Sequence, residues 1–529
     1  MNSYSNGSVL NMKKQTLRTP VLIIGGGVTG TGLARDLALR GICSTLIERR
    51  DINAGASGSN HGLLHSGARY VSNDLESAQQ CKMENDRLKR LVPDLIDPTG
   101  GIFAAVAGDD ENYIADFPGL CKKAGIRCRK MEIEEALALE PILSKSLIAA
   151  YEVDDASVDP FGLSLSNMAD AIKRGASLML HTRVTGFTIT RGKIQSVQVI
   201  NTKNSSETSI EADYIVNAAG AWSGQIAAMA GIGLNITYSK GTLLVTHSRL
   251  SNRVINRLRP PSDGDIFVPG GTISLLGTTS VRLKSLDIIR PTVEEVDHII
   301  NELSPLLPVL NTTRYIRAYA GVRPLITNQD HGDDRSASRG FTLFDHADDD
   351  VENLVTITGG KLTTYRHMAE VAADLICRKM GITATCATAE TALTGKADQR
   401  ATTPGQSPRA WMKRHTKDDV LLCECEMVSK KVVDEILNDA TLKSEPVDLR
   451  SIGLRSRIGK GACQGSMCSI RVVAHLYHQA VLHGDEGPAT LKDFLHDRWI
   501  GQHAVLWGSQ LAQAELSEAV HCGLFDLEK

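Results

Sequence analysis

Three glycines near the N-terminus have the spacing of a phosphate-binding turn. Gly25, Gly27 and Gly30 form a G-x-G-x-x-G pattern between the apolar run VLII and a helix-forming segment. Glycine permits a tight turn and lets a pyrophosphate approach the backbone, and the following helix directs its positive dipole end toward the phosphates. Glu48 lies 18 residues after Gly30, where a carboxylate can accept hydrogen bonds from a ribose. The pattern predicts a dinucleotide site rather than a structural turn.

A loop of small residues after Glu48 favours FAD over NAD. The run from Arg50 to Gly62 is rich in Gly, Ala and Ser and offers more backbone donors than an NAD site needs. Such a loop suits an extended pyrophosphate that leads toward an isoalloxazine ring. Two later strand-to-turn segments are predicted to complete the flavin site, one of them through a second helix N-terminus. Beyond the glycine turn and Glu48, the predicted cofactor-binding residues are Ser57, Ser59, Asn60, His61, Gly62, Val184, Ala219, Gly220, Trp222, Gly359, Gly360, Leu362 and Thr363.

Four of the eleven cysteines lie close together in the C-terminal part of the sequence. Cys423 and Cys425 form a C-x-C pair, and Cys463 and Cys468 follow as a C-x4-C pair. Thiolates two residues apart cannot share a helix face, so the first pair is predicted on a loop that converges with the second on one centre.

This segment resembles the bacterioferritin-associated-ferredoxin-like [2Fe–2S] domain, although that family often closes with C-x2-C. Gly459, Gly461 and Gly465 leave backbone N–H groups free to approach sulfur. Four thiolates could also hold zinc, and a lapsed site or no metal remain further alternatives. The redox setting favours iron, because a two-electron flavin that feeds one-electron carriers gains from an adjacent cluster.

The elements around these motifs predict an α/β fold. A strand, the glycine turn, a helix and a second strand read as a βαβ unit from Pro20 onward, and strand-like runs return between 186 and 278. A further strand at Leu354–Thr358 precedes a helix from about Thr363 to Met380. We therefore expect a Rossmann-like FAD-binding domain with an inserted, mostly antiparallel β-rich substrate domain, plus a small cysteine-rich domain. The glycine turn and the two later strand-to-turn segments together resemble the D-amino-acid-oxidase and glycine-oxidase flavoproteins, and this resemblance implies the same fold.

The predicted domain boundaries follow from this pattern. An oxidoreductase unit spans 20–388, with FAD-binding parts at about 20–75, 150–235 and 340–388 and substrate-domain parts at about 76–149 and 236–339. A polar, Pro- and Gly-containing linker at 389–419 precedes a [2Fe–2S] domain at 420–475 and a helical tail at 476–529. The linker predicts that the C-terminal part is a separate module.

Composition excludes several other classes of protein. The chain has 529 residues, 42% of them hydrophobic and 22% charged, and a net charge of −3 without a basic block, so we expect no nucleic-acid partner. No apolar run reaches the roughly 18 residues of a membrane span. Residues 1–19 are polar and predict a frayed N-terminus rather than a signal peptide. An intracellular protein with reduced thiols is expected.

Three motifs carry a resemblance to a known family. HGLLHSGARY at 61–70, YAGVRPL at 319–325 and GGKLTTYR at 359–366 look like signatures of FAD-dependent glycerol-3-phosphate dehydrogenases. With the cysteine segment, residues from about 20 to 525 are similar to the A subunits of the anaerobic enzymes. The resemblance implies a catalytic FAD-bearing subunit that oxidises glycerol 3-phosphate to dihydroxyacetone phosphate. It also implies two partners, a flavoprotein B subunit, and an iron–sulfur, membrane-anchoring C subunit, which pass electrons to quinone in anaerobic respiration.

The resemblance also assigns the substrate pocket. Arg69, Arg323 and Lys361 stand at motif positions where cations would bind the phosphate dianion, although surface ion pairs are the commoner fate of such residues. Tyr70 would contribute a hydroxyl or merely pack. His65, with His61 as the weaker candidate, would be the proton acceptor, or a structural histidine. In aerobic relatives a Lys-Gly-Ser-His segment supplies a histidine, and this sequence has leucine at that position, Leu243.

The predicted location is the cytoplasmic face of the membrane, with attachment through partner subunits only. Two alternatives stay open: an FAD-dependent dehydrogenase or oxidase for a 2-hydroxy acid or an amino acid, and a non-catalytic electron-transfer subunit that retains a flavin.

Overall fold

The computed structural model describes residues 15–326, 340–393, 411–413, 415–442 and 446–528. Its first strand, β1 (Gln15–Ile24), leads into helix α1 (Val28–Leu39) and strand β2 (Ser44–Ile47). β1 pairs in parallel with β2, so the predicted βαβ unit is present. The prediction of a frayed N-terminus was wrong for residues 15–19, and its remaining part, residues 1–14, lies outside the described residues. Residues 15–19, which are mostly polar, pair with residues 208–212, and backbone hydrogen bonds hold this part of the strand without a continuous apolar sequence.

In the described part of the chain, β1 and β2 belong to an eight-stranded sheet. Its other strands are β9 (Ser177–Met179), β10 (Thr182–Thr190), β11 (Lys193–Asn201), β12 (Glu207–Asn217), β19 (Phe341–Asp345) and β20 (Leu354–Gly359). The central strands β9, β2, β1, β12 and β20 run parallel. Strand β1 is apolar from Val21 onward because its side chains are buried on both faces, as in other parallel sheets.

Helices cover one face of this sheet and place the glycine turn. Helix α1 packs with α5 (Pro160–Lys173) and α8 (Tyr365–Met380) in a core that includes Leu33, Met168 and Ala372. The short helix α6 (Ser223–Ala228) and the β10–β11 hairpin belong to the core on the opposite face. The predicted helix from 363 to 380 is thus present, preceded by a 3₁₀ turn at Leu362–Thr364.

A second, mostly antiparallel sheet lies beside the first. Its strands are β5 (Gly101–Val106), β6 (Cys128–Met131), β7 (Leu147–Val153), β13 (Ile236–Thr246), β14 (Val254–Arg257), β15 (Ile266–Gly270), β16 (Ile273–Gly277), β17 (Val281–Leu283) and β18 (Tyr315–Ile326). Only β5 and β14 pair in parallel among its described strands. Its helices are α3 (Glu111–Lys123), α4 (Ile133–Leu139) and α7 (Val293–Leu303). Helix α2 (Leu75–Leu91) and a small sheet of β3 (Leu63–Leu64), β4 (Ile96–Asp97) and β8 (Ala156–Val158) connect the two sheets. The predicted α/β architecture with a β-rich second unit is confirmed.

The C-terminal elements form one packed unit. They are β21 (Leu421–Cys423), β22 (Val428–Ser429), α9 (Lys430–Leu437), α10 (Leu449–Arg455), α11 (Cys468–His478), α12 (Glu486–His503) and α13 (Gly508–Phe525). A single apolar core runs from Leu422 to Leu527, so it crosses the predicted boundary at 475/476. Most of the predicted linker, 394–410 and 414, lies outside the described residues.

This C-terminal unit packs directly on the rest of the chain. Val505 belongs to the core of the second sheet, and a Cβ added to Gly501 would lie 2.6 Å from the carbonyl oxygen of Ala318. Arg455 forms a bidentate ion pair with Asp51 in the small-residue loop. The expected separation of the module is therefore not seen, because tertiary contacts join it to both sheets. Of the helices in the described ranges, none has the length and apolarity required to cross a lipid bilayer.

Candidate active site

The glycine turn at the end of β1 combines two packing glycines with one that faces a cavity. Gly25 has a φ of +118°, and a Cβ there would lie 2.5 Å from the carbonyl oxygen of Ala218. A Cβ on Gly30 would lie 2.0 Å from the carbonyl oxygen of Gly25, so this glycine allows α1 to pack against the turn. Gly27 is the N-cap of α1, makes no side-chain capping bond and lines the cavity. The two outer glycines shape the turn, and Gly27 forms the surface that a ligand would meet.

Glu48 and Ser57 hold the backbone around this turn. The carboxylate of Glu48 accepts hydrogen bonds from the N–H of Gly26 at 2.7 Å and of Arg50 at 2.9 Å. Burial raises the pKa of Glu48, and these two backbone bonds oppose the rise. The hydroxyl of Ser57 accepts from the N–H of Val28 at 2.9 Å, so the small-residue loop folds back over the start of α1.

A cavity of about 550 Å³ extends from the glycine turn to the second sheet. The predicted cofactor residues that line it are Gly25, Gly27, Glu48, Ser57, Asn60, His61, Val184, Ala219, Gly220, Trp222, Gly359, Gly360 and Leu362. Four other predicted cofactor residues are not among those that line it: Gly30, Ser59, Gly62 and Thr363.

The cavity fits FAD in its chemistry. Helix α1 begins at the wall of the cavity without a side-chain cap and without an acidic residue in its first turn. The N–H of Val28 already donates to Ser57, so a pyrophosphate would meet the helix dipole and the remaining N–H groups of the first turn. The positive φ of Gly220, +57°, and of Gly360, +72°, brings bare backbone to the same surface.

All five predicted substrate-site residues line this same cavity: His65, Arg69, Tyr70, Arg323 and Lys361. The Nε2 atom of His65 lies 3.5 Å from the hydroxyl of Tyr70. The ammonium group of Lys361 lies 4.6 Å from the centre of the Tyr70 ring and donates to the hydroxyl of Ser77 at 2.9 Å. Residues from three distant motifs thus line one cavity that contains three cations and an imidazole.

Both histidines in the cavity are neutral at neutral pH. Burial, together with the charges of Arg69 and Lys361, holds the pKa of His65 well below its usual value. Burial, followed by Arg69 and Arg323, lowers the pKa of His61 to about 3. The backbone N–H of His65 donates to the hydroxyl of Thr363 at 3.1 Å, which fixes the start of the HSGARY segment. A neutral imidazole can accept a proton, whereas an imidazolium cannot.

Groups in the loops of the second sheet accept hydrogen bonds from both arginines. Arg69 donates to Asp265 at 3.1 Å and to the carbonyl oxygen of Ser262 at 3.0 Å. Arg323 donates to the carbonyl oxygen of Thr279 at 2.5 Å. It passes close to Gly241, where a Cβ would lie 2.7 Å from its Nη2 atom.

The leucine of the Lys-Gly-Thr-Leu segment is a core residue. Leu243 is buried and is not among the residues that line the cavity. The preceding Lys240 is also buried, and it pairs with Glu295 at 2.8 Å.

Several residues that support the site were not predicted from the sequence. Ser77 contacts Lys361, Thr279 contacts Arg323, and Asp265 contacts Arg69. Arg49 lies 4.1 Å over the ring of Trp222, and both line the cavity. Asp265 immediately precedes strand β15, and an acidic residue at such a position could have indicated a partner for an arginine. No feature of the sequence indicated the contacts of Ser77 and Thr279.

The four cysteines of the C-terminal unit lie in contact. The Sγ atoms of Cys423 and Cys425 are 3.7 Å apart, and those of Cys425 and Cys463 are 3.6 Å apart. Cys468 contacts both Cys423 and Cys463. Within the described ranges, no group of three or more His, Cys, Asp or Glu side chains has the arrangement of a site for a single metal ion.

The backbone around these thiols is directed at sulfur. The N–H groups of Gly465 and Met467 donate to Cys463, and that of Gly459 donates to Cys468. Contacts with Cys425 and Cys468, together with these N–H groups, lower the pKa of Cys463. A Cβ on Gly461 would lie 2.9 Å from the sulfur of Cys425. Four thiols with N–H donors match the donor chemistry of a [2Fe–2S] cluster.

Comparison with known proteins agrees with this geometry. The family described as FAD dependent oxidoreductase (DAO) matches residues 20–375. The chain is 41% identical to the A subunit of anaerobic glycerol-3-phosphate dehydrogenase of Escherichia coli K12, over 96% of this chain and 97% of that protein. It is 40% identical to the protein of the same name from Haemophilus influenzae, over 97% and 94%. Its fold is similar to the crystal structure of glycerol-3-phosphate dehydrogenase from Bacillus halodurans complexed with FAD, with a TM-score of 0.56, 21% identity and coverage of 98% of this chain and 92% of that one. The chain therefore belongs to the DAO family of FAD-dependent oxidoreductases and, within it, to the family of anaerobic glycerol-3-phosphate dehydrogenase A subunits.

Proposed function

We propose that this chain oxidises sn-glycerol 3-phosphate to dihydroxyacetone phosphate. The observation that carries the proposal is that Arg69, Arg323 and Lys361 line the same cavity as the neutral His65, and that this cavity begins at the dinucleotide turn. The names of the relatives give the same substrate.

The three cations would bind the phosphate dianion. Arginine offers planar pairs of donors to phosphate oxygens, and lysine offers a compact charge. Asp265 orients the guanidinium of Arg69, and the ring of Tyr70 and the hydroxyl of Ser77 orient the ammonium of Lys361. Such prepared groups lose little side-chain entropy when the substrate binds.

His65 would accept the proton of the C2 hydroxyl. Burial is the largest cause of its lowered pKa, and the charges of Arg69 and Lys361, two of the groups that would bind the dianion, lower it further. Substrate binding would therefore offset their field and raise the basicity of His65 when a proton has to be removed. Tyr70, 3.5 Å from Nε2, would orient the imidazole or the substrate hydroxyl. FAD, when bound, supplies the acceptor for the hydride from C2.

Cys423, Cys425, Cys463 and Cys468 would hold a [2Fe–2S] cluster, which supplies one-electron transfer when present. Electrons would then pass to a flavoprotein B subunit, then to an iron–sulfur C subunit, and through them to the membrane quinone in anaerobic respiration. The chain would attach to the cytoplasmic face of the membrane through these partners. Zinc in place of iron would leave the cysteine site structural.

Substrate competition in anaerobic steady-state kinetics tests the proposal. We expect turnover with glycerol 3-phosphate, and a kcat/KM for glycerol lower by at least 100-fold, because the phosphate contacts are lost. Faster turnover of a 2-hydroxy acid or an amino acid would contradict the proposed substrate. No turnover with any of these compounds would indicate a non-catalytic electron-transfer protein.

A further inference from the structure

The C-terminal helix α13 exposes an apolar face. Trp507, immediately before the helix, is 72% exposed, and Leu516, Val520 and Leu524 are 64%, 54% and 69% exposed. The three aliphatic residues recur at intervals of four and therefore lie on one side of the helix. Ala512, Ala519 and Gly523 are exposed on the same side. Apolar faces of this kind mark interaction sites.

This face continues into the loop that carries the cysteines. The imidazole of His521 contacts the carbonyl oxygen of Ser466 at 3.0 Å, so α13 lies against the segment between Cys463 and Cys468. Met467, the next residue of that loop, is 60% exposed, and Cys425 is exposed as well. A partner on this face would come close to the cysteine site.

The charges around the face select among possible occupants. Residues 508–528 contain no Lys or Arg, whereas Glu515, Glu518, Asp526 and Glu528 are acidic. Amphipathic helices that bind anionic membranes carry basic residues beside the apolar face, so this helix does not suit a membrane surface. Two copies of the helix in a twofold interface would bring like charges together. A partner protein with basic residues around its apolar anchor would complement the acidic residues of α13 and would bring no like charges together.

We infer that the face formed by Met467, Leu516, Val520 and Leu524 docks a partner redox protein whose apolar anchor has a basic rim, and that electrons leave the chain there. The inference rests on the proposed function, because the partner is the protein that accepts electrons from the cysteine site. Aliphatic anchors in the middle of such a surface would account for much of the binding energy.

The test compares complexes of the anaerobically purified holoenzyme with the B and C subunits of its own source. The triple variant Leu516→Gln, Val520→Gln, Leu524→Gln replaces exposed side chains with a residue that favours helices. We expect its affinity for the partners to fall by about 100-fold. FAD content, iron content and flavin reduction by substrate should stay unchanged. The matched control is Ile288→Gln with Val293→Gln, because these side chains are 71% and 54% exposed on the second unit. It should bind the partners like the wild-type chain.

A second variant, Ala519→Arg, adds bulk and positive charge at an exposed position and removes no packing. It should also abolish the complex while thermal stability stays unchanged. Unaltered complexes with both variants, or no complex with the wild-type chain, would overturn the inference. The variants could instead lose a homodimer, or binding to phosphatidylglycerol vesicles, that the wild-type chain shows, while they still bind the partners. That result would assign the face to another occupant and would also overturn the inference. A wild-type holoenzyme whose flavin is not reduced by glycerol 3-phosphate would contradict the proposed function, while complex formation would still test this surface.

Discussion

The buried ion pair between Asp51 and Arg455 joins the small-residue loop to the C-terminal unit. Both carboxylate oxygens accept from the guanidinium, at 2.8 and 3.0 Å. Arg455 is 0% exposed and Asp51 is 19% exposed. The loop that begins here also contains Asn53, whose N–H donates to Gly26, and Ser57, whose hydroxyl accepts from Val28. The ion pair therefore supports the backbone around the predicted pyrophosphate site.

Asp51→Asn should weaken both stability and FAD retention. The change leaves the guanidinium of Arg455 buried without its counter-charge, and breaking a buried pair in this way costs about 3–5 kcal/mol. The partial exposure of Asp51 favours the lower end of that range. If the whole cost of about 3 kcal/mol were lost from the free energy of FAD binding, the FAD dissociation constant would rise by roughly 100-fold, since each 1.4 kcal/mol is tenfold. Other contacts also hold the loop, so we expect an increase of about 10- to 100-fold.

Flavin fluorescence during reconstitution of the apoprotein measures this constant. Lys203→Met is the matched control, because the Lys203–Asp448 pair joins the β11–β12 turn to the same C-terminal unit at 3.2 Å but both side chains are about a third exposed. Such a pair contributes roughly 0–1 kcal/mol, so FAD affinity should change less than about fivefold. Arg455→Met should cost less than Asp51→Asn, because the remaining carboxylate can reach water. Equal FAD affinities for Asp51→Asn and the wild-type chain would refute this reasoning.

Further predictions concern the cavity and the cysteines. Gly27→Val should lower FAD occupancy, because its Cβ would lie 3.1 Å from the Ser57 hydroxyl and would face the cofactor; full occupancy after purification would argue against this turn as the site. Arg323→Met should raise the KM for glycerol 3-phosphate by roughly 10- to 150-fold with FAD retained, through loss of a charge-assisted bond of about 1.5–3 kcal/mol, and an unchanged KM would move the phosphate elsewhere. His65→Gln should slow flavin reduction by about 10²- to 10⁴-fold in stopped-flow experiments. The pKa of His65 is lowered, so kcat/KM of the wild-type enzyme, which reports groups of the free enzyme, should fall only at pH values below the usual range of histidine, where the imidazole gains a proton. A fall in kcat/KM centred near pH 6.5 would contradict this assignment. Cys463→Ser should lose the iron, about two atoms per chain by metal analysis, and leave flavin reduction by substrate intact, whereas zinc in the wild-type protein would refute the redox role.

Local motifs predicted the parts of the site that depend on nearby residues. The turn from Gly25 to Gly30 and the pairing of β1 with β2 follow from spacing and apolar runs, which are properties of a short segment. The resemblance to known motifs brought Arg69, Arg323 and Lys361 into one pocket before the structure showed their common cavity.

Contacts between distant segments could not be predicted in the same way. Ser77 and Lys361 are 284 residues apart, and Asp51 and Arg455 are 404 apart, so neither pair leaves a periodic signal in the sequence. The linker composition suggested a separate module, but composition carries no information about the packing of Gly501 against Ala318. The polar start of β1 was missed because its stabilising interactions are backbone hydrogen bonds with β12.

Anaerobic titration of the purified holoenzyme with glycerol 3-phosphate, followed by the flavin absorbance, tests the central claim most directly. We predict complete bleaching at about one to one and a half equivalents of substrate per FAD, because each oxidation delivers two electrons, FAD accepts two and a [2Fe–2S] cluster, where present, accepts one. Glycerol without its phosphate should leave the flavin oxidised over the same range. A flavin that stays oxidised with excess glycerol 3-phosphate, or is bleached equally well by glycerol, would contradict the account.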